Sequence, residues 1–332
     1  MWQMASRAVA LAVALLGFCG CGAPSAGGAP SPLVLERTIP LVGVSGRIDH
    51  LAIDTDHQRL FVAELGNGSV EAIDLASGRS LGRITGLDEP QGLGYLRKRD
   101  ELVVATRGDG TLRFYRAADL TLEGSVKPGE DADDVRVDPG SGRVLVGYGH
   151  ALALIDPSAR RLLRSIPLPA HPEGFQLEGD RAFVNLPGAG AVAVVDVANG
   201  HEVARWPNPG PRFNFPLASD GEGRRIAAVY RFPARLVLFD AGSGKVEQAL
   251  DTCGDADDTF FDLGRGRLYV VCGAGAVDVF ERRPPGYRPL ARVSTRGGAR
   301  TGLFSATLDR LYIAARAGGF GQPAAILVYR PA

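Results

Sequence analysis

The sequence predicts an all-β fold, a seven-bladed β-propeller with four antiparallel strands per blade, and three observations carry that prediction. The stretch EDADDVRVDPGSGRVLVGYG, residues 130–149, returns in altered form as GDADDTFFDLGRGRLYVVCG, residues 254–273. One column of positions, Asp54, Leu96, Asp138, Glu178, Asp220, Asp262 and Ser305, recurs at spacings of 42, 42, 40, 42, 42 and 43. Such a period marks a repeat architecture, and four short strands in about 42 residues is one propeller blade. Finally, AILVYRPA ends the chain after a third strand, while VLERTIPLVG, residues 34–43, reads like the fourth strand LLRSIPLPAH, residues 162–171. The N-terminal strand is therefore expected to complete the last blade, which removes both open sheet edges.

Taken in chain order, residues 1–20 read as an export signal. MWQMASR carries one Arg and no acid, and the apolar run AVALAVALLGF is too short to span a bilayer. Residues 21–32 form a small-residue tether. FCGC resembles a lipoprotein cleavage site with Cys21 as the lipidated residue, and cleavage near Ala26 to release a soluble chain is the alternative. Either route exports the protein, to the periplasm or the cell envelope, with a lipid anchor its one expected membrane contact.

Residues 33–332 form the propeller. Each unit begins with a short apolar segment such as DHLAID and turns at TDHQ or its equivalent. A β-rich run (RLFVAE, RVLVGY, RLYVVC) and a Gly turn follow, then an alternating run (SVEAID, AVAVVD, ARLVLFD). Strands of this length, rich in Val, Ile and aromatic residues and separated by turn residues, are the expected β signature. In DLASGR, DVANGH and DAGSGK the carboxylates of Asp74, Asp196 and Asp240 are expected to accept backbone amides two residues on. Gly78, Gly200 and Gly244 supply positive φ. RPPGYRP, residues 283–289, reads as a long outer-edge loop.

The 37 basic residues balance the 37 acidic ones. With no basic stripe, a nucleic-acid partner is excluded from the expectation. A small molecule or an envelope protein is the expected partner, and a monomer the expected state.

The wording of RLFVAELGNGSVEAIDLASGR, RAFVNLPGAGAVAVVDVANGH and RLYVVCGAGAVDVF resembles the YVTN-repeat family of exported bacterial seven-bladed propellers. The resemblance covers residues 34–332. It implies the fold and an exported location, and it leaves the ligand open, because such propellers range from binding proteins to enzymes. YVTN itself is replaced here by FVAE, VVAT, LVGY, FVNL, AAVY, YVVC and YIAA, so only Asn185 stands near the family asparagine.

In a propeller, the loop leading into each innermost strand shares one face with the loop between second and third strands. The first set gives Asp49, His50, Gln91, Asp133, Asp134, Glu173, Asn214, Asp257, Asp258 and Arg300. The second adds Glu64, Arg107, Tyr148, Asn185, Tyr230, Arg231 and Arg316. The expectation is a polar, mainly acidic collar with arginines from late blades and His50 across from Glu64. Two carboxylates roughly 6 Å apart at an effective dielectric near 20 repel by about 3 kcal/mol. A divalent cation, the nearby arginines or raised carboxylate pKa values would relieve that repulsion. Two readings follow: a ligand site, or a solvated mouth whose Asp and Asn side chains cap turns.

Cys253 and Cys272 are the two cysteines of the propeller, and in an oxidising compartment they are expected to form a disulfide, a metal-binding or redox dithiol being the alternative. No GxSxG, HExxH, P-loop or dinucleotide fingerprint stands in a suitable context. The expected function is a non-catalytic exported scaffold offering its collar to a small ligand, cation or protein. A metal-assisted lyase or lactone hydrolase using the same collar is the alternative.

Overall fold

In the computed structural model, residue 1 and residues 30–138, 140–319 and 321–332 are described. The export segment and Cys21 lie outside the described residues. Residues Ser31–Ala332 fold into seven four-stranded antiparallel sheets.

Six sheets are sequential hairpin ladders. The seventh runs Leu33–Pro40, Ala325–Pro331, Arg310–Ala315, Thr301–Ser305, so the N-terminal strand is the outermost strand of the last blade. The strands Leu51–Asp54, Pro90–Leu96, Val135–Val137, Phe175–Glu178, Arg212–Ser219, Ala256–Asp262 and Thr301–Ser305 touch one another in succession, and the last returns to the first. These are the innermost strands, and the ring is closed. The repeating column of the sequence falls on or one residue beyond their ends, at the first turn of each blade.

Alternation explains why each run occupies its place. The second and third strands are buried over most of their length, as in Arg59–Glu64 and Ala151–Asp156, and read as mainly apolar runs. Fourth strands such as Arg161–Pro167 turn most of their side chains to solvent. The buried residues divide into seven apolar clusters, each built from two neighbouring blades; Phe61, Leu93 and Leu102 hold blades one and two together. Hydrophobic burial therefore lies between blades, not on the ring axis, which leaves the axis to polar side chains.

The turns between third and fourth strands differ in one detail from expectation. Asp74, Asp196 and Asp240 accept the amides of Ser77 (2.6 Å), Asn199 (2.8 Å) and Ser243 (2.8 Å), three residues on and not two. The main chain closes the same turn, Gly78 N–H donating to Asp74 O at 2.7 Å, and this pulls the third amide inward. Gly78 has φ +70°, a conformation that favours glycine, and the Arg37 guanidinium of the last blade packs beside it, where a Cβ would displace it. The RPPGYRP segment is not a long loop: Arg283 pairs with Gly286 across a two-residue connection, because the flanking strands continue to its ends.

Candidate functional site

Asp49 and His50 stand at the head of the innermost strand of blade one, where Asp49 N–H donates to Ala63 O at 2.8 Å. The Asp49 carboxylate is 1% exposed. One oxygen lies 2.8 Å from Arg47 Nη2 and the other 3.9 Å from His50 Nε2, yet neither has a partner in hydrogen-bond geometry. Burial pushes the Asp49 carboxyl up to about 6, against the charges of His50 and Arg47. Burial alone would depress the His50 imidazole. The carboxylates of Asp134, Asp49, Asp258 and Asp133 outweigh it and push the pKa up to about 9. His50 is thus an imidazolium at neutral pH, a cation supplied by the chain itself.

The other blades complete the ring. Asp257 is gripped by Arg231 Nη2 at 2.5 Å and Arg300 Nε at 2.8 Å, and Asp255 by Arg300 Nη1 at 3.2 Å. Arg231 also donates to Ala256 O at 2.9 Å and lies over the Phe215 ring, 3.9 Å from its centroid. Asp258 accepts the Gly302 amide at 2.8 Å; burial nevertheless pushes its carboxyl up to about 7. On the opposite arc Arg107 donates to Asp131 at 2.6 Å, and Arg136 pairs with Asp134. His171 Nδ1 lies 2.9 Å from Gly149 O and 3.3 Å from Asp131, with Nε2 3.9 Å from Asp133. Burial pushes Asp133 up, but the His171 and His50 charges outweigh it and hold the carboxyl below its usual range. Glu173 is pushed up to about 7 by burial, with the neighbouring Asp133 adding to it.

These side chains enclose a cleft of about 240 Å³ at the mouth, lined by Arg47, Gln91, Arg107, Asp131, Asp133, His171, Glu173, Phe215, Arg231, Asp257 and Arg300. A polar chamber of about 40 Å³ adjoins it, sharing Glu173, Phe215 and Asp257 and reaching His50, Asp134, Arg136 and Asp258.

Not every expected collar residue joins. Glu64 is not across from His50: it accepts Ser69 Oγ at 2.5 Å and faces Arg83 at 3.3 Å. Tyr148 OH pairs with Ser165 Oγ at 2.6 Å. Asn185, Asn214 and Tyr230 form a buried relay between blades four and five. Asn214 Nδ2 donates to Asn185 Oδ1 (2.8 Å) and Ala191 O (2.9 Å), and Tyr230 OH to Asn208 Oδ1 at 3.2 Å. Arg316 lines a separate small pocket with Arg47, Asp255 and Arg300. For Glu64, Tyr148 and Asn185 the reason is radius. Loops between second and third strands sit one strand farther from the axis, so long side chains such as Arg107 and Arg231 reach the cleft, while shorter ones find partners nearby.

Arg47, Asp131, Arg136, His171 and Asp255 join the collar without having been expected there from the sequence. Arg47, Asp131 and Asp255 each precede a predicted collar residue by two positions, so the period of extended chain, which returns every second side chain to one face, would have found them. The arginines also come from early blades as well as late ones.

The collar donors do not fit a divalent ion. Among the described residues, no three of the collar's imidazole and carboxylate atoms, one per residue, lie within 4.8 Å of one another; Asp54, His57 and Asp100, at the far end of blades one and two, do. There Arg59 already bridges Asp54 (2.8 Å) and Asp100. Cys253 and Cys272 are bonded to each other with Cα atoms 5.8 Å apart, joining the loop before blade six to the end of its second strand.

No protein-family model and no curated protein matches the chain. Among solved structures it is similar to hydrazine synthase of Kuenenia stuttgartiensis, with a TM-score of 0.74 and 17% identity over 85% of this chain and 95% of that one. At that identity the likeness establishes the propeller fold alone.

Proposed function

We propose that this chain is an exported, non-catalytic propeller that binds a small polar ligand in the cleft at the collar mouth. The observation that carries the reading is the cleft itself: residues of all seven blades and their entry loops converge on one cavity of about 240 Å³, most of the charged side chains held in place by another. Such preorganisation lowers the ordering cost of binding. The Cys253–Cys272 bond supports an oxidising compartment, in keeping with the signal-like N terminus and with the resemblance to exported YVTN-repeat propellers. The metal-assisted lyase or hydrolase reading needs a converging donor set, which the collar acids do not offer; most are committed to arginine, histidine or a backbone amide.

Thermal-shift screening of the mature chain against a polar metabolite library, followed by mass spectrometry of each hit, tests this. A hit that stabilises the protein, loses its effect in Arg300→Gln and is recovered chemically unchanged supports binding. Recovery of a converted product would replace the reading with an enzymatic one.

A further inference from the structure

Resting on that binding reading, we infer that the ligand is a small organic anion whose oxyanion head, carboxylate or phosphate, is received by the arginines of the cleft. Arg47, Arg107, Arg231 and Arg300 reach the cavity from four places around the ring. Arg107, Arg231 and Arg300 are each held by protein partners on part of the guanidinium group and keep one nitrogen free. Arg107 donates Nε to Asp131, Arg231 donates Nε and Nη2 to Ala256 O and Asp257, and Arg300 donates Nη1 to Asp255 while its Nε lies 2.8 Å from Asp257 as an ion pair. Among the described residues, Nη2 of Arg107, Nη2 of Arg300 and Nη1 of Arg231 donate to no protein acceptor.

Most of the lining carboxylates already face a cationic side chain. Asp131 and Asp257 are occupied by guanidinium groups, and Asp133 faces the two imidazoles. Four guanidiniums and His171 line the cleft against Asp131, Asp133, Asp257 and Glu173, and burial keeps Glu173 protonated for part of the time near neutrality. Free guanidinium nitrogens therefore remain as donors for an anion. A cation would have to compete with the guanidiniums that lie 2.8 Å from Asp49 and from Asp257. Planar guanidinium forks match the geometry of carboxylate and phosphate oxygens.

Titration calorimetry at pH 7 in 0.15 M NaCl, with succinate, glycerol 3-phosphate and putrescine as probes, tests the inference. One or both anions should bind once per chain. Arg107→Gln should weaken binding at least tenfold, and Arg316→Gln, a rim charge outside the cleft, less than twofold. Arg300→Lys, which keeps the charge and loses the fork, should weaken it at least fivefold; unchanged thermal midpoints establish that the variants are folded. Failure of both anions to saturate, full binding by Arg107→Gln and Arg300→Lys, or equal weakening by Arg316→Gln would overturn the inference. Saturable putrescine binding would overturn it while leaving the binding function standing, whereas absence of any ligand in the library screen would remove both.

Discussion

Ile39 faces Ile326 across the closure of the ring, pairing the first strand of the fold with the third strand of its last blade; both side chains are fully buried in the cluster between blades seven and one. Nearly the whole chain separates them, so this contact forms only when the propeller is complete. Ile39→Ala should cost about 3 kcal/mol, the usual range for a buried aliphatic truncation. Val34→Ala, on the exposed side of the same strand, should cost under about 0.5 kcal/mol. Urea unfolding of the two variants checks the difference; equal small losses would mean that the strand is not docked.

Asn214 is the hinge of the buried amide relay at the boundary of blades four and five. Asn214→Ala leaves Asn185 Oδ1 and Ala191 O without that donor, both in a dry setting. The expected loss is about 2 kcal/mol, read as a lower denaturation midpoint. Because the relay lies off the cleft, binding of the succinate or glycerol phosphate probe should change little. A large loss of affinity with unchanged stability would assign these amides to the site instead.

The pH dependence of stability should carry the signature of His50. Its pKa is raised in the fold to about 9, so its contribution is fully present below the ordinary value of 6.5 and disappears as pH rises through 9. Asp49 and Asp258, raised to about 6 and about 7, act the other way. Their burial costs nothing while both states are protonated, and the cost sets in as pH climbs from 3.8 to those values. The stability gap between wild type and His50→Gln should therefore shrink between pH 6.5 and 9. A gap constant across that interval would show that the carboxylates do not hold the imidazolium. Asp258→Asn should lower the His50 pKa, visible in the imidazole NMR titration.

The Cys253–Cys272 bond closes a loop between positions 19 apart. A loop of that size stabilises by about 3 kcal/mol on the chain-entropy model. The double Ala variant should lose about that much stability, and dithiothreitol should lower the wild-type midpoint without affecting the variant.

The local order of strands and turns was legible in the sequence because it is written in short-range terms. The 42-residue column, the alternation of fourth strands and the Asp and Gly positions of the turns act within a few residues of themselves, and they gave seven blades and the closing strand. The charged ring was legible only in part. Asp49, His50, Asp133, Asp134, Asp257 and Asp258 were found because they lead into innermost strands, where position alone brings them to the axis. Distance from the axis, side-chain reach and the choice of partner are not periodic, and they send Glu64, Tyr148 and Asn185 to local partners while bringing Arg136 in. Which acid meets which arginine, and therefore the sign of the charge left for a ligand, depends on side chains from several blades meeting in three dimensions. Coulomb energy falls with distance in space and takes no account of distance along the chain, so only the tertiary structure could decide it.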